Sequence, residues 1–310
     1  MPEDVRTGSL SIILFQTIYD QGNSILGDQV RGDPKYDLIM ANEVSLLHGL
    51  YAPVQPAIPA GNEGSVTYNE YSPDTRLKDF IYCYWQLKTS RPLHEPFRYR
   101  VVSDGCIDIF FELCNSEGPF VMGFSTTYTE FPIGHSFYYV GIRFLPMAFP
   151  QIFGLNISEL TDRFEHLNSV TPEIARCIST VFEDLPSPKR IYPALDQFFL
   201  NLLNKTTIQT DARICNALYQ ILQKRGNIRV EEELDIGLSN RQLRRLFKKY
   251  VGTTPKMFSK VVRFQNIVRY AASGNNLITT SFSFDPGYYD QAHFIKEFKT
   301  FYGATPAQVL

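Results

Sequence analysis

Positively charged side chains are concentrated in the last hundred residues of the chain. Residues 1–210 carry 15 Lys and Arg against 24 Asp and Glu, a net charge of −9, whereas residues 211–310 carry 15 against 8, a net charge of +7. No acidic residue lies between Asp235 and Asp285. That interval contains Arg241, Arg244, Arg245, Lys248, Lys249, Lys256, Lys260, Arg263 and Arg269. Such a stretch repels itself unless it faces a polyanion, which indicates nucleic acid; a solvated helical surface is the alternative.

Two segments within this basic region share one pattern of residues at a constant offset of 51 positions. The pattern runs from Leu243 to Pro255 and again from Phe294 to Pro306, with Phe-Lys, then Gly, then Thr-Pro at matching places. Identity at five positions, with an apolar residue in both copies at a sixth, Leu243 and Phe294, indicates two copies of one unit. A glycine turn, at Gly237 or Gly287, and a shorter apolar segment, Val230–Ile236 or Thr280–Asp285, precede each copy. Short helix, glycine turn and amphipathic helix are typical of a helix-turn-helix.

A helix is predicted between the two copies, over Lys256–Ala272. Its apolar residues recur at helical spacing, and Lys256, Lys260 and Arg263 lie on a different face. The apolar stripe comprises Met257, Val261, Phe264, Val268 and Ala271. At ~1.5 Å per residue this helix is roughly 26 Å long, so with its flanking loops it could hold two recognition helices about one DNA turn apart, ~34 Å.

The segments Leu238–Lys248 and Gly287–Lys299, with Gly303–Pro306, resemble the paired helix-turn-helix signature of AraC/XylS-type transcription regulators. The resemblance covers about residues 210–310. It implies that two recognition helices face the DNA, the first through Arg241, Arg244 and Arg245 and the second through Gln291, His293 and Lys296. Arginine suits guanine and glutamine suits adenine, so these residues are the expected base contacts. The expected phosphate contacts are Asn240, Lys248 and Lys299.

Two departures from the family pattern concern the scaffold helices of the units. Val230–Leu238 is one residue shorter than usual, which predicts a distorted first scaffold helix. In the second unit Ser283 and Pro286 stand where a small apolar residue and a helix-compatible residue are usual. Pro286 would end its helix just before the turn.

Upstream, residues 66–163 are rich in aromatic and β-branched residues broken by turns, which indicates a small β-domain. Cys106–Leu113 alternates in polarity as a strand does, Asn115–Gly118 supplies a turn, and Phe137–Phe144 is another strand candidate. Helical material follows at Met147–Phe153. After Pro186–Pro188 comes a helix whose stripe, which comprises Ile191, Leu195, Phe198 and Leu202, could pack within its own chain or against a second copy.

The β-domain also resembles, more loosely, the cupin-like regulatory domains found fused to such regulators. The resemblance lies in Ser103–Asp108 and Gly141–Pro146, and it implies effector binding, dimerisation or both. Asp104, Asp108 and Arg143 are the expected effector contacts, against the alternative of a buried ion pair or turn-capping carboxylates. The five histidines form no H-x-H or H-E-x-x-H pair, so neither a metal site nor a cofactor is expected.

The expected fold class is α+β multidomain. The regions are a poorly defined extension at 1–65, a β-rich regulatory domain at 66–165, a helical linker or dimerisation region at 166–209, and an all-α DNA-binding domain with two helix-turn-helix units at 210–310. Met40 is hypothesised to be the natural start of translation, in which case residues 1–39 would not belong to the native protein. The five scattered cysteines are expected to be reduced thiols of a cytoplasmic protein, and no apolar run is long enough to span a bilayer.

The function expected from these patterns is a sequence-specific, double-stranded DNA-binding transcription regulator. Control by a small effector and assembly as a homodimer are left open by the sequence. The chain is not expected to be an enzyme. One alternative is an enzyme whose catalytic β-domain is tethered to DNA by the helical tail, but no G-x-S-x-G, Walker loop or deaminase signature is present. Another is an interaction protein whose basic helices bind an acidic partner.

Overall fold

The computed structural model describes residues 47, 49–58, 64–113, 118–183, 190–208, 211–234, 236–274 and 287–309. Four features of the sequence analysis lie outside these residues. They are Met40, positions 115–117 of the predicted turn, the Pro186–Pro188 segment, and the second scaffold segment with Ser283 and Pro286. The described part of the predicted N-terminal extension is well packed. Leu47 and Tyr51 are buried, and the main-chain N–H of Val54 donates to Gln265 at 2.7 Å, so the expectation of a poorly defined extension at 1–65 is wrong for residues 47 and 49–58.

Two antiparallel sheets form the β-rich region. The larger sheet has six strands in the order β1-β2-β7-β4-β5-β8, and β3 pairs with β6 in a separate two-stranded sheet. The strands are β1 Val66–Tyr71, β2 Ile81–Thr89, β3 Phe97–Val101, β4 Ile107–Glu112, β5 Phe120–Met122, β6 Thr129–Gly134, β7 Tyr138–Phe144 and β8 Phe164–His166. The strand predictions at 106–113 and 137–144 are confirmed, and the β-rich, cupin-like expectation agrees with this arrangement.

The larger sheet uses its two faces differently. In β4, Ile107, Ile109 and Phe111 are buried against the helices, whereas Asp108 and Phe110 face the two-stranded sheet. Gly141 of β7 lies opposite both Trp85 of β2 and Phe110 of β4. A Cβ at Gly141 would lie 2.0 Å from the Trp85 indole, so the glycine provides the space for this ring.

The helices follow the β-rich region and partly alternate with its last strand. They are α1 Ala148–Phe153, α2 Leu167–Val170, α3 Pro172–Glu183, α4 Ile191–Lys205, α5 Ala212–Gln223, α6 Val230–Glu233, α7 Asn240–Val251, α8 Pro255–Ala272, α9 Gln291–Tyr302 and α10 Pro306–Val309. The predicted helical segments at 147–153 and 256–272 are therefore both present, and their ends differ from the predicted ones by one residue at most.

Helix α4 packs inside its own chain. Ile191, Leu195 and Phe199 are its buried residues, and the ring of Phe199 lies 5.6 Å from that of Phe144 in β7. The predicted stripe included Phe198, which is only half-buried, because the helix turns its neighbour Phe199 toward the sheet. The sequence left open whether this face packs within its own chain or against a second copy. In the structure it packs within the chain, on the β-rich region.

The C-terminal helices rest directly on the β-rich region, and the buried side chains of both form one continuous apolar cluster. Helix α8 is central to this contact. Its Phe258 lies against Tyr51 and Gly105, and the amide of Gln265 donates to the carbonyl of Ser103 at 2.7 Å. Burial of large apolar surface resists relative movement of two regions, so the helical region is held in a fixed orientation on the sheet.

Candidate DNA-binding surface and effector cavity

Helix α7 presents a basic face to solvent. Ser239 caps it, and Ser239 and Gln242 form a reciprocal capping box, which fixes the first turn. Leu243 and Phe247 are buried. The exposed side comprises Asn240, Arg241, Arg244, Arg245, Lys248 and Lys249. The helix is therefore amphipathic, as the sequence predicts for each unit, with its apolar side toward the core and its basic side toward solvent.

The cations of α7 differ in their surroundings. Arg244 donates to Glu231 of α6 at 2.5 Å, with more than half of each side chain exposed. For Arg241, Arg245 and Lys248, no carboxylate lies within 4.0 Å among the described residues. Exposed cations without an acidic neighbour are available to phosphate or base oxygens. The scaffold helix α6 is a single turn, in keeping with the predicted distortion of the first unit.

Helix α9 is the matching element of the second unit. The Asp290 carboxylate caps it by accepting from the His293 N–H at 2.7 Å, and Phe294 and Phe298 are buried as their counterparts are in α7. Gln291, Lys296 and Lys299 are exposed, and neither lysine has a carboxylate within 4.0 Å among the described residues. His293 is different. Its ring is half-buried, 5.4 Å from that of Tyr288, with Nε2 3.8 Å from Glu297, so it is less open to a base than predicted.

A buried carboxylate joins α9 to α8. Glu297 pairs with Lys260 at 2.9 Å and with Arg263 at 2.8 Å, and the Arg263 guanidinium lies 4.3 Å over the ring of Tyr288. Burial alone would raise the pKa of Glu297, but the hydrogen bond and charge of Arg263, with those of Lys260, hold it below its ordinary value. Lys260 and Arg263 thus lie on a face other than the apolar stripe, as predicted, and that face packs on the second unit through Glu297.

The repeated glycines end both recognition helices in the left-handed conformation, at φ 86° for Gly252 and 89° for Gly303. Both also lie against the connection between β5 and β6. A Cβ at Gly252 would meet Phe124 at 3.2 Å, and one at Gly303 would meet the Tyr128 ring at 2.7 Å. Thr161 adds a hydrogen bond from its hydroxyl to the carbonyl of Gly252. One connection of the β-rich region thus contacts the ends of both recognition helices.

Tyr289 is a candidate interface residue that sequence reasoning missed. It immediately precedes the N-cap of α9, and 90% of it is exposed. Ile295, on the exposed side of the same helix, is 37% exposed. An exposed aromatic ring beside exposed cations is typical of surfaces that contact bases or sugars. In the sequence Tyr289 is indistinguishable from the neighbouring Tyr288, which is buried.

The three predicted effector residues come together as a buried ion-pair cluster. Arg143, 2% exposed, lies 3.0 Å from Asp108 and 3.3 Å from Asp104. A fourth member, Glu70 of β1, lies 3.3 Å from Arg143 and was not predicted. The Trp85 indole N–H also donates to Asp108 at 2.9 Å. The structure thus shows the ion pair that the sequence offered as the alternative to effector contacts.

A cavity of about 350 Å³ lies between the two sheets, and two of the three residues line it. Asp108 and Arg143 form the polar part of its wall. The aromatic part includes Trp85, Tyr99, Phe110, Phe120, Phe131 and Phe164. Asp104 lies outside the lining and binds the loop beneath α8, where it accepts from the N–H of Cys106 at 3.0 Å and the amide of Gln55 at 2.7 Å. Burial raises the pKa of Asp108 to about 6, although Arg143 opposes the shift.

Within the described residues, no group of three or more His, Cys, Asp or Glu side chains is arranged to hold a metal ion. Cys83, Cys106 and Cys215 are buried free thiols and Cys177 is an exposed one. Among the helices that the structure describes, none combines the length and apolar character needed to cross a membrane.

Comparisons with known proteins match both regions. Residues 69–166 match a domain of unknown function, DUF6597, and residues 235–310 match a helix-turn-helix domain. An uncharacterized HTH-type transcriptional regulator of Haemophilus influenzae is 22% identical over 187 residues, which are 56% of this chain and 60% of that protein. The chain thus spans less than two thirds of the length of this curated relative.

Solved structures of ToxT from Vibrio cholerae are similar at a more distant level. An apo form of a ToxT point variant is 12% identical, with 80% of this chain and 97% of that chain covered and a TM-score of 0.41. ToxT with bound unsaturated fatty acid is 10% identical, with 81% and 96% covered and a TM-score of 0.37. The domain matches agree with the signatures in Leu238–Lys248 and Gly287–Lys299. Residues 235–310 are accordingly similar to a helix-turn-helix domain, and residues 69–166, which precede them, are similar to DUF6597.

Proposed function

We propose that the chain is a sequence-specific regulator of transcription that binds double-stranded DNA through α7 and α9. The observation that carries the proposal is the duplicated unit, in which the apolar side of each helix is buried and its cations remain exposed with the β-rich region in place. Helices of this kind enter the major groove, where arginine reads guanine and lysine neutralises phosphate. Arg241, Arg244, Arg245, Gln291, Lys296 and, with a smaller exposed surface, His293 are the proposed base contacts. The proposed phosphate contacts are Asn240, Lys248 and Lys299.

The β-rich region is proposed to control DNA binding through a small effector in the cavity between the sheets. Concave, mostly apolar cavities of this size with a few polar groups are typical small-molecule sites. A regulator with such a site would act in the cytoplasm, where it reaches chromosomal DNA, and a homodimer remains part of the proposal. Within the described part of the chain, the cavity does not favour the enzyme alternative, because its two charged groups, Asp108 and Arg143, are bound to each other.

The test is selection of bound duplexes from a random library by the full chain, followed by titration of the enriched sequence over a range of salt concentrations. We expect one enriched sequence with two half-sites about one helical turn apart, and a log–log salt slope of several units, since each phosphate contact contributes ~0.9. Arg241→Ala together with Lys296→Ala should remove the enrichment. A matched control is Lys205→Ala with Arg176→Ala, which removes the same charge from α4 and α3. Equal affinity for all duplexes at every salt concentration would refute the proposal.

A further inference from the structure

The charged cluster at the cavity wall has an excess of negative charge. Arg143 supplies one positive charge, and three carboxylates, those of Asp104, Asp108 and Glu70, lie within 3.3 Å of it. Arg143 is 2% exposed, so its charge is not screened by bulk solvent. Of these carboxylates only Asp108 lines the cavity with Arg143, but the formal charge of the whole cluster, one positive group against three negative ones, favours a cation at this wall.

Each of the three guanidinium nitrogens of Arg143 also has an acceptor among these side chains. Nε and Nη2 donate to Asp108, and Nη1 faces Glu70 and the hydroxyl of Tyr68. An anionic ligand could pair with Arg143 only by displacing one of these carboxylates and leaving it buried without a partner. That exchange is unfavourable, because removing one partner of a buried ion pair leaves an uncompensated charge.

The remainder of the wall consists largely of aromatic faces. Trp85 and Phe110 lie side by side with ring centres 6.4 Å apart, next to the carboxylate of Asp108. Phe120 and Phe131 continue the lining toward Phe164, which is half exposed at the rim. Aromatic faces attract cations through their quadrupole, most strongly where water is excluded, and they pack equally well against an apolar body.

We propose that this cavity binds an organic ammonium ion, an amine with an alkyl or aryl body, with its charged nitrogen near Asp108, Trp85 and Phe110 and its apolar part toward Phe131 and Phe164. The inference deepens the proposed effector control by naming the chemical class of the ligand, and it rests on that function only for its biological meaning. Binding to the cavity can be measured without DNA.

Trp85 is the only tryptophan of the chain and forms part of the cavity wall, so its fluorescence reports on this site alone. The full chain is titrated with octylamine, octanol and octanoate, which share one chain length and differ in charge. We expect octylammonium to bind about tenfold more tightly than octanol, and octanoate to bind most weakly. Octanoate binding as tightly as octylammonium, or equal affinity for all three, would overturn the proposal.

Asp108→Asn should reduce the preference of the cavity for octylamine over octanol to within about twofold, while Glu173→Gln, a matched loss of charge on the exposed surface of α3, leaves the preference unchanged. A preference that survives Asp108→Asn in folded protein contradicts the assignment of Asp108. Should that variant not fold, the ranking of the three probes on the wild-type chain decides alone. If the chain prefers octylamine but enriches no DNA sequence, the regulator function is refuted and the ligand class stands. If the chain enriches a DNA sequence but does not prefer octylamine, the ligand class is refuted and the regulator function stands.

Discussion

The ring of Tyr128 covers Gly303, and no side chain fits between them. A Cβ on Gly303 would lie 2.7 Å from the ring, and the main-chain N–H of Tyr128 donates to the carbonyl of Thr300 in α9 at 3.2 Å. Tyr128 belongs to the connection between β5 and β6, in which Phe124 covers Gly252 at the end of α7. The second recognition helix is thus anchored to the β-rich region by a contact that only glycine permits.

Gly303→Ala should destabilise the chain by more than the strain of its left-handed backbone. Gly154→Ala is the matched control, since Gly154 also ends a helix at positive φ but has nothing within 4 Å of its added Cβ. Backbone strain costs about 1–2 kcal/mol at either position. We expect a further ~1–3 kcal/mol at Gly303 from the clash with Tyr128, measured by urea unfolding. Tyr128→Ala in the Gly303→Ala background should remove this excess, and equal losses at the two glycines would contradict the contact.

Glu231→Gln should strengthen DNA binding. The carboxylate of Glu231 holds Arg244 at 2.5 Å and places negative charge beside the basic face of α7. Loss of this exposed pair costs the folded state at most about 1 kcal/mol, whereas it frees Arg244 and reduces repulsion of phosphate. Affinity for the selected duplex, measured by fluorescence anisotropy, should rise several-fold. Glu173→Gln, which removes the same charge from the surface of α3, serves as the control. If Glu231→Gln leaves the affinity unchanged, Arg244 lies away from the DNA.

Arg245→Ala should change the base preference of DNA binding, whereas Lys248→Ala should change only the overall affinity. Arg245 is a proposed base contact, so its loss should relax preference at one base position and cost ~1–3 kcal/mol of discrimination. Lys248 is a proposed phosphate contact, so its loss should weaken binding to every duplex alike and lower the salt slope by ~1. Competition titrations against single-base variants of the selected duplex distinguish the two. The same uniform loss from both substitutions would show that Arg245 does not read a base.

Tyr289→Ala should weaken DNA binding and leave stability unchanged. Since Tyr289 is 90% exposed, its removal creates no void in the core. An aromatic contact to a thymine methyl group or a sugar contributes on the order of 1 kcal/mol. Tyr289→Phe, which keeps the ring, should retain most of the affinity in the same anisotropy assay. If alanine binds as tightly as tyrosine, this ring lies outside the interface.

Glu297→Gln should change how stability depends on pH. The folded-state pKa of Glu297 is below its unfolded value near 4.5, so the carboxylate stabilises the fold fully above that pH, and this contribution is lost as the pH falls through the folded pKa. The variant should lose ~3–5 kcal/mol at neutral pH, because Lys260 and Arg263 lose their buried partner, and it should show a weaker decline in acid. Urea unfolding at several pH values measures both effects. A decline in acid as steep as that of the wild type would contradict the role of Glu297.

Asp108 should impose the opposite pH dependence, since its folded pKa, about 6, lies above the ordinary 3.8. Its contribution to stability is therefore fully present below about 3.8 and is lost as the pH rises through about 6. The groups that bear on this titration are Arg143, Asp104, Glu70, Trp85, Tyr68, Tyr99 and Cys83. Octylammonium favours the ionised carboxylate, so its affinity should increase as the pH rises through about 6, whereas octanol affinity should not. Trp85 fluorescence measures both, and a pH-independent octylamine affinity would argue against Asp108 as the counter-ion.

The helical region was largely predictable because its signals are local. Periodic apolar residues, the Ser239 cap and the terminal glycines each depend on a few neighbouring positions, and the structure shows the corresponding elements at nearly the predicted bounds. The inward role of Lys260 and Arg263 was not predictable in this way. It depends on Glu297, which lies more than thirty positions away and approaches only when α9 packs on α8.

The proposed effector cavity was likewise predictable only where the signal is local. The alternating polarity of β4 placed Asp108 on a separate face from Ile107 and Ile109, but no local pattern specifies the register between β4, β2 and β7. That register brings Trp85, Gly141 and Phe110 into one row and Cys83, Arg143 and Asp108 into the next. The cavity results from these pairings between distant strands, so neither its aromatic wall nor Glu70 could be found from residue spacing.

The strands β5 and β6 supply Phe120, Met122 and Phe131 to the cavity, and the segment that joins them meets the last turn of each recognition helix through Phe124 and Tyr128. A guest molecule that pushes these strands apart would consequently displace both attachment points in a single movement. The distance between the preferred half-sites in a bound duplex would then differ between the empty and the occupied protein, which makes operator spacing a direct gauge of occupancy.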